Sequence, residues 1–164
     1  MRRLLVMRHG KSDWSTGMSD HDRPLNRRGI EAAKTMGRLL TEVGEAPDHV
    51  ITSGATRAQT TAELARESGD WTAEMEVTDD LYGTGIDTVL SVVAGAPDVE
   101  RLMIVGHEPV WSGLVAHLTG GAVAMKTATV AGIDLLVRDW EEAPLARSEM
   151  VFVLQPRHFA PVDP

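Results

Sequence analysis

The chain has 164 residues, enough for a single domain with a buried core and a short tail. A net charge of −8 excludes a general nucleic-acid binder, which would carry a basic footprint. The lack of cysteine excludes disulfide scaffolds, zinc ribbons and thiol catalysis, and with only seven aromatic residues the core is expected to rest on Leu, Val, Ile, Ala and Met.

The first apolar run, residues 3–7, suits a buried strand and stops at Arg8-His9-Gly10. It is too short for a signal peptide and lacks a small-residue cleavage site. No stretch approaches the roughly 20 apolar residues that a bilayer span needs. The expectation is a soluble cytoplasmic protein with no membrane and no nucleic-acid partner. Residues 11–22 are polar and read as a loop. Asn26 caps a predicted helix to about Val43, with Ile30, Ala33, Met36, Leu40 and Val43 on one face. Gly44 and Pro47 end it.

Residues 49–52 predict a second strand, Ser53 stands where an N-cap belongs, and 55–67 predict a helix. A weak third strand at 74–78 precedes a helix at 87–94. Residues 101–105 form a clear buried strand ending at Gly106-His107, and Pro109 suits the first turn of a helix through Leu118. Two β-rich runs follow, 130–137 and 150–154, joined by a polar loop that is too short for a helical crossover and so predicts an antiparallel hairpin. The tail from about residue 156 to 164 is expected to be loose. The loop 121–129 receives no role from its sequence. The alternation predicts an α/β fold: a three-layer α/β/α sandwich, mainly parallel, with an antiparallel edge.

In such sheets ligands bind beyond the carboxyl ends of the strands. The first strand delivers Arg8, His9 and Gly10 there, the second Ser53 and then Arg57, the fourth Gly106 and His107. Two histidines and two arginines thus share one edge, beside two helix N-termini whose free N–H groups favour anions. Arg57 in a first helical turn is misplaced against the helix dipole, as a bound anion would explain. Each residue alone reads as a solvated or loop side chain; it is their coincidence that points to phosphate. His21, His49, His117 and His158 share no metal-ligand spacing.

Met7-Arg8-His9-Gly10 resembles the Arg-His-Gly signature of the histidine phosphatase superfamily, which includes the cofactor-dependent phosphoglycerate mutases. The segments Thr52 to Ala62 and Val105 to Pro109 resemble its second and third motifs, in order, so that the likeness spans roughly residues 3–155. The short length, Asp22 to Gly29 and Leu81-Tyr82 resemble the branch of SixA-like bacterial phosphohistidine phosphatases. The resemblance implies a phosphoglycerate mutase-like fold and a metal-free, cofactor-free hydrolase in which His9 becomes transiently phosphorylated. It implies that Arg8, Arg57 and His107 grip the phosphoryl oxygens, with Gly10, Ser12 and Lys11 at the pocket. Arg23 either reaches the same phosphate or pairs with Asp20 or Asp22 to shape the loop. Trp14 is either a substrate-facing edge or a packing residue.

The general acid has no clean match. Asp80 is the candidate, Asp79 and Glu76 are alternatives, and Asp20 is an outside choice; a solvated acidic loop is the competing reading for each. An alkyl phosphate needs its leaving oxygen protonated, whereas imidazole leaves with less help, so a degraded acid position fits phosphohistidine. Three readings follow: a phosphatase of a phosphoprotein such as a histidine-containing phosphotransfer domain, a phosphatase of a small phosphate ester (sugar or nucleotide), and a phosphate-binding module without turnover. The short stretch from Arg57 to His107 leaves little chain for a lid, which favours the first.

Overall fold

A computed structural model describes residues 1–159. Six strands, β1 (Arg2–Arg8), β2 (His49–Ser53), β3 (Glu74–Thr78), β4 (Arg101–Gly106), β5 (Val130–Leu135) and β6 (Ser148–Leu154), form one sheet in the order β3-β2-β4-β1-β5-β6. The first four are parallel. β5 runs antiparallel to β1, and β6 antiparallel to β5, so the antiparallel edge is as expected.

Four helices cover the sheet: α1 (Arg27–Glu42), α2 (Thr56–Ser68), α3 (Ile86–Ala94) and α4 (Val110–Thr119). Successive strand side chains point to opposite faces. Leu5 and Met7 of β1 therefore meet Met36, Leu40, Ala58 and Ala62 of α1 and α2, while Leu4 and Val6 meet Val89, Val93, Trp111 and Leu114 of α3 and α4. All four β1 residues are wholly buried, as a central strand with helices on both sides requires. The result is the three-layer sandwich.

α1 begins as the sequence predicts: the Asn26 side chain accepts from the Gly29 amide at 2.9 Å. α2 does not. Its N-cap is Ala55, with no side-chain cap, and Ser53 is instead the last residue of β2, its Oγ accepting from the Ala55 amide. The connection between β5 and β6 is also more than a polar loop. It holds a 3-10 turn, Trp140–Leu145, with Trp140 and Ala143 buried. The core is correspondingly richer in aromatics than expected, because Trp71, Trp111 and Trp140 are all inside. Each buried indole N–H finds an acceptor, respectively Thr41 Oγ1, Met7 O and Val99 O, all at 2.9 Å. In the tail expected to be loose, Pro156–His158 forms a 3-10 turn, and residues 160–164 lie outside the described residues. Among the described residues no helix is long and apolar enough to cross a membrane.

Candidate active site

β2, β4 and β1 are neighbours, so their carboxyl ends bring Ser53, His107 and His9 together. The three motifs line or frame an open cleft of about 620 Å³, bounded by Arg8, His9, Arg57 and His107 at its base and by Trp14, Tyr82 and Thr127 at its sides.

His9 is 7% exposed. Its Nδ1 lies 2.6 Å from the Gly10 carbonyl, which can only accept, so the ring proton sits on Nδ1 and Nε2 presents a lone pair to the cleft. Arg57 Nε donates to that lone pair at 3.3 Å. Burial, opposed by the Gly10 hydrogen bond and aided by the charges of His107, Arg57 and Arg8, lowers the His9 pKa to about 3. Burial and Arg57 lower that of His107 to about 4. The two rings lie 5.2 Å apart, both neutral near physiological pH.

The guanidinium groups are held by the protein around them. Arg8 Nη1 donates to the Met125 carbonyl at 2.9 Å, while its buried Nε has no partner among the described residues. Arg57 Nη1 donates to the Asp20 carbonyl, and its Nη2 to Asp20 Oδ2 at 3.1 Å. Thr61 ties the signature loop to α2: its Oγ1 accepts from Gly10 N at 2.9 Å and donates to Arg57 O at 2.6 Å. The 121–129 loop, silent in the sequence, braces the first motif, since the Ala128 amide donates to both Arg8 and His9 carbonyls, at 3.1 and 3.0 Å. It is held in turn by Ser112, whose Oγ donates to Glu108 at 2.6 Å and accepts from Met125 N at 3.3 Å.

The helix ends contribute less to anion binding than expected. The Thr56 amide of α2 donates to His21 O, and the Ser112 amide of α4 to Glu108 Oε1, so these donors are committed within the protein. The anion-attracting groups are guanidinium and imidazole side chains.

Asp80 does not fill the role proposed for it. It is exposed on the 3-10 turn Asp79–Leu81 and does not line the cleft. Asp79 turns to His21 Nε2 at 3.1 Å, and Glu76 lies 3.8 Å from His49. The outside choice, Asp20, does line the cleft. The Tyr82 hydroxyl, donating at 2.6 Å, and the Arg57 and Arg23 guanidinium groups hold its carboxyl well below the usual carboxylate range. Gly10 does not line the cleft either, because its amide faces Thr61. Ser12 and Lys11 do line it. Arg23 makes the ion pair offered for it, with Asp20 at 2.9 Å, while its Nε donates to Ser12 Oγ, and it also lines the cleft. Trp14 is 77% exposed, lines the cleft and stacks on the Arg23 guanidinium at 3.7 Å. The sequence reading missed Glu108 and Thr127 as cleft residues, and treated Tyr82 only as part of a motif.

Because His9 and His107 stay neutral in the folded protein below their unfolded value of 6.5, the unfolded chain binds more protons over that range. Their contribution to stability is therefore complete above about pH 6.5 and falls as pH drops toward 4 and then 3. The urea midpoint is expected to decline steadily between about pH 7 and about pH 4. A flat midpoint across that window would mean that both rings protonate freely in the folded state.

The model of the histidine phosphatase superfamily (branch 1) matches residues 4–85. An uncharacterised protein of Mycobacterium tuberculosis is 35% identical over 159 residues, which cover 96% of this chain and 92% of the relative. A structure from Nakamurella multipartitia, provisionally described as the phosphohistidine phosphatase SixA, is 28% identical with a TM-score of 0.78, covering 94% of this chain and 96% of its own. The protein histidine phosphatase SixA in complex with tungstate shares the fold at a TM-score of 0.83 and 22% identity, covering 96% of this chain and 99% of its own.

Proposed function

The chain belongs to the histidine phosphatase superfamily, and from that premise we propose that it removes phosphate from phosphohistidine on a protein, through a phosphorylated His9. His9 Nε2 attacks phosphorus in line as the bond to the leaving imidazole breaks, and that imidazole takes up a proton from solvent. Water then attacks the phosphorylated His9, releasing inorganic phosphate and returning the ring to its neutral form. Arg8 and Arg57 supply the positive charge that the equatorial oxygens need, so these residues meet the electrostatic demand of the reaction without a metal ion.

The observation that carries the substrate assignment is the state of the carboxyl groups in the cleft. Glu108 accepts two hydrogen bonds from Ser112, at 2.7 and 2.6 Å, and Asp20 is held ionised by Tyr82, Arg57 and Arg23. Neither is poised to hand a proton to an alkoxide. A phosphoramidate relaxes that demand, because the leaving nitrogen is far more basic than an ester oxygen and is protonated at lower cost. The openness of the cleft, with Trp14 and Met18 exposed on the adjoining loop, suits a side chain presented by another protein. The SixA proteins named above, whose fold the chain shares, are described as acting on phosphohistidine, which fits this reading.

The test is a comparison of substrates under metal-chelated conditions: a histidine-containing phosphotransfer protein in its phosphorylated form against sugar, nucleotide and simple alkyl phosphates. We expect kcat/KM for the phosphoprotein to exceed that for every alkyl ester by about 100-fold or more. Brisk alkyl-ester turnover would replace this reading with that of a small-metabolite phosphatase. Absence of turnover on all of them would leave phosphate binding alone.

A further inference from the structure

His107 can grip a phosphoryl group only if the ring nitrogen that faces the cleft carries a proton. Being held neutral, it has one proton to place. Its Nδ1 lies 3.4 Å from Arg57 Nη2, on the cleft side, and its Nε2 lies 2.8 Å from Ser53 Oγ.

Ser53 is wholly buried, and its oxygen already accepts the Ala55 amide at 3.2 Å. The hydroxyl proton has one acceptor among the described residues, His107 Nε2. Were Nε2 protonated instead, two donors would meet at 2.8 Å or the serine proton would be left buried without a partner, at a cost of about 1–3 kcal/mol. The opposing interaction is weaker. Arg57 Nη2 could donate to Nδ1 only across 3.4 Å, and it has Asp20 Oδ2 at 3.1 Å in any case.

We propose that Ser53 is a positioning residue that fixes the tautomer of His107, donating to Nε2 so that Nδ1–H points into the cleft as a ready-made donor to the phosphoryl group. Nδ1–H and Arg57 Nη2 then stand 3.4 Å apart as two donors at the cleft, an opposition that a phosphoryl oxygen accepting from both would relieve. A neutral imidazole in this state binds the anion without first being protonated, and the burial of the ring costs it nothing as a donor. The assignment holds whatever the leaving group. It also explains why Ser53 does not cap α2: its hydroxyl is aimed across the sheet edge to His107, just after β4, leaving Ala55 in the cap position.

The experiment is nitrogen NMR on protein labelled at histidine, with the His107 signals identified by their loss in His107→Asn. At neutral pH the wild type should show a protonated Nδ1 and a bare Nε2. Ser53→Ala should shift His107 toward the Nε2–H form, lower kcat on an aryl phosphate by about 10- to 100-fold and weaken tungstate binding by a similar factor. Ser53→Thr, which keeps the hydroxyl, should restore the Nδ1–H signal and most of the activity. A wild-type His107 protonated on Nε2 overturns the proposal by itself, even if the alanine variant fails to fold. So does a folded Ser53→Ala with an unchanged tautomer and unchanged kcat.

Discussion

A His9→Ala variant is expected to lose at least about 10⁴-fold in kcat while still binding tungstate in the cleft. The loss is large because no other group can take over: among the cleft residues the second imidazole, His107, is turned toward Ser53 and Arg57, and no cysteine exists in the chain. Binding survives because Arg8 is anchored by Met125 O, and Arg57 keeps both of its contacts to Asp20 when its Nε contact to His9 is lost. Rapid-quench labelling supplies the second readout. The wild type should accumulate a phosphorylated protein that resists alkali and is discharged by acid, as a nitrogen–phosphorus bond is, and the variant should not. Residual activity above about 1% of wild type would remove His9 from the nucleophile's role. Asp80→Asn provides the contrast. With its carboxyl exposed and away from the cleft, it should leave kcat within about twofold on every substrate.

Gly29→Ala and Gly37→Ala are expected to destabilise the fold by about 3 kcal/mol each, opposite in sign to the usual effect. Glycine inside a helix normally costs about 1 kcal/mol relative to alanine, so filling a helical glycine should help. At Gly29 a new Cβ would lie 2.2 Å from the Lys11 carbonyl oxygen, and at Gly37 it would lie 2.1 Å from that of Ala65. Both obstacles are backbone and cannot rotate away. At Gly37, α1 and α2 are in backbone contact and must separate. At Gly29, α1 must lift from the loop that follows His9, so this variant should lose activity as well as stability. Gly113→Ala in α4 is the control: its Cβ would meet the tip of the Ile86 side chain at 3.3 Å, which can swing aside. Urea midpoints should separate the three, with Gly113→Ala at or above wild type. Equal midpoints for all three would show that α1 is free to shift.

The α/β sandwich and the motif residues were legible because they rest on short-range signals. Apolar runs four to eight residues long mark the buried strands, and Arg8, His9, Arg57 and His107 sit at strand ends or first helical turns, where topology alone sets their edge. Which carboxyl stands over the cleft was not legible, for the opposite reason. Asp80 lies at the end of β3, next to β2 in the sheet, but the 3-10 turn that follows carries it outward. Asp20 sits in a loop with no periodicity, and only tertiary contacts with Arg57, Arg23 and Tyr82 bring it over the cleft. Thr127 was hidden by strand direction. β5 runs antiparallel, so the loop entering it arrives at the edge where the parallel strands end. The cap at Ser53 failed because its hydroxyl had a better-placed partner 54 positions away.

The pairing of β1 sets the order in which this protein can come into being. β1 is made first, yet its ladder partners come late: Arg3 aligns with Arg101 of β4 and Arg2 with Leu135 of β5. As the chain leaves the ribosome, a strand apolar on both sides waits with both edges unpaired while most of the protein is still being translated. Such distant pairings also make assembly slow relative to a local hairpin. The nascent protein is consequently most exposed to aggregation before β4 emerges. A stall or truncation ahead of residue 121 yields a fragment that holds His9 and both arginines yet lacks the loop that braces Arg8 and His9, so that the site cannot be assembled before that loop is made.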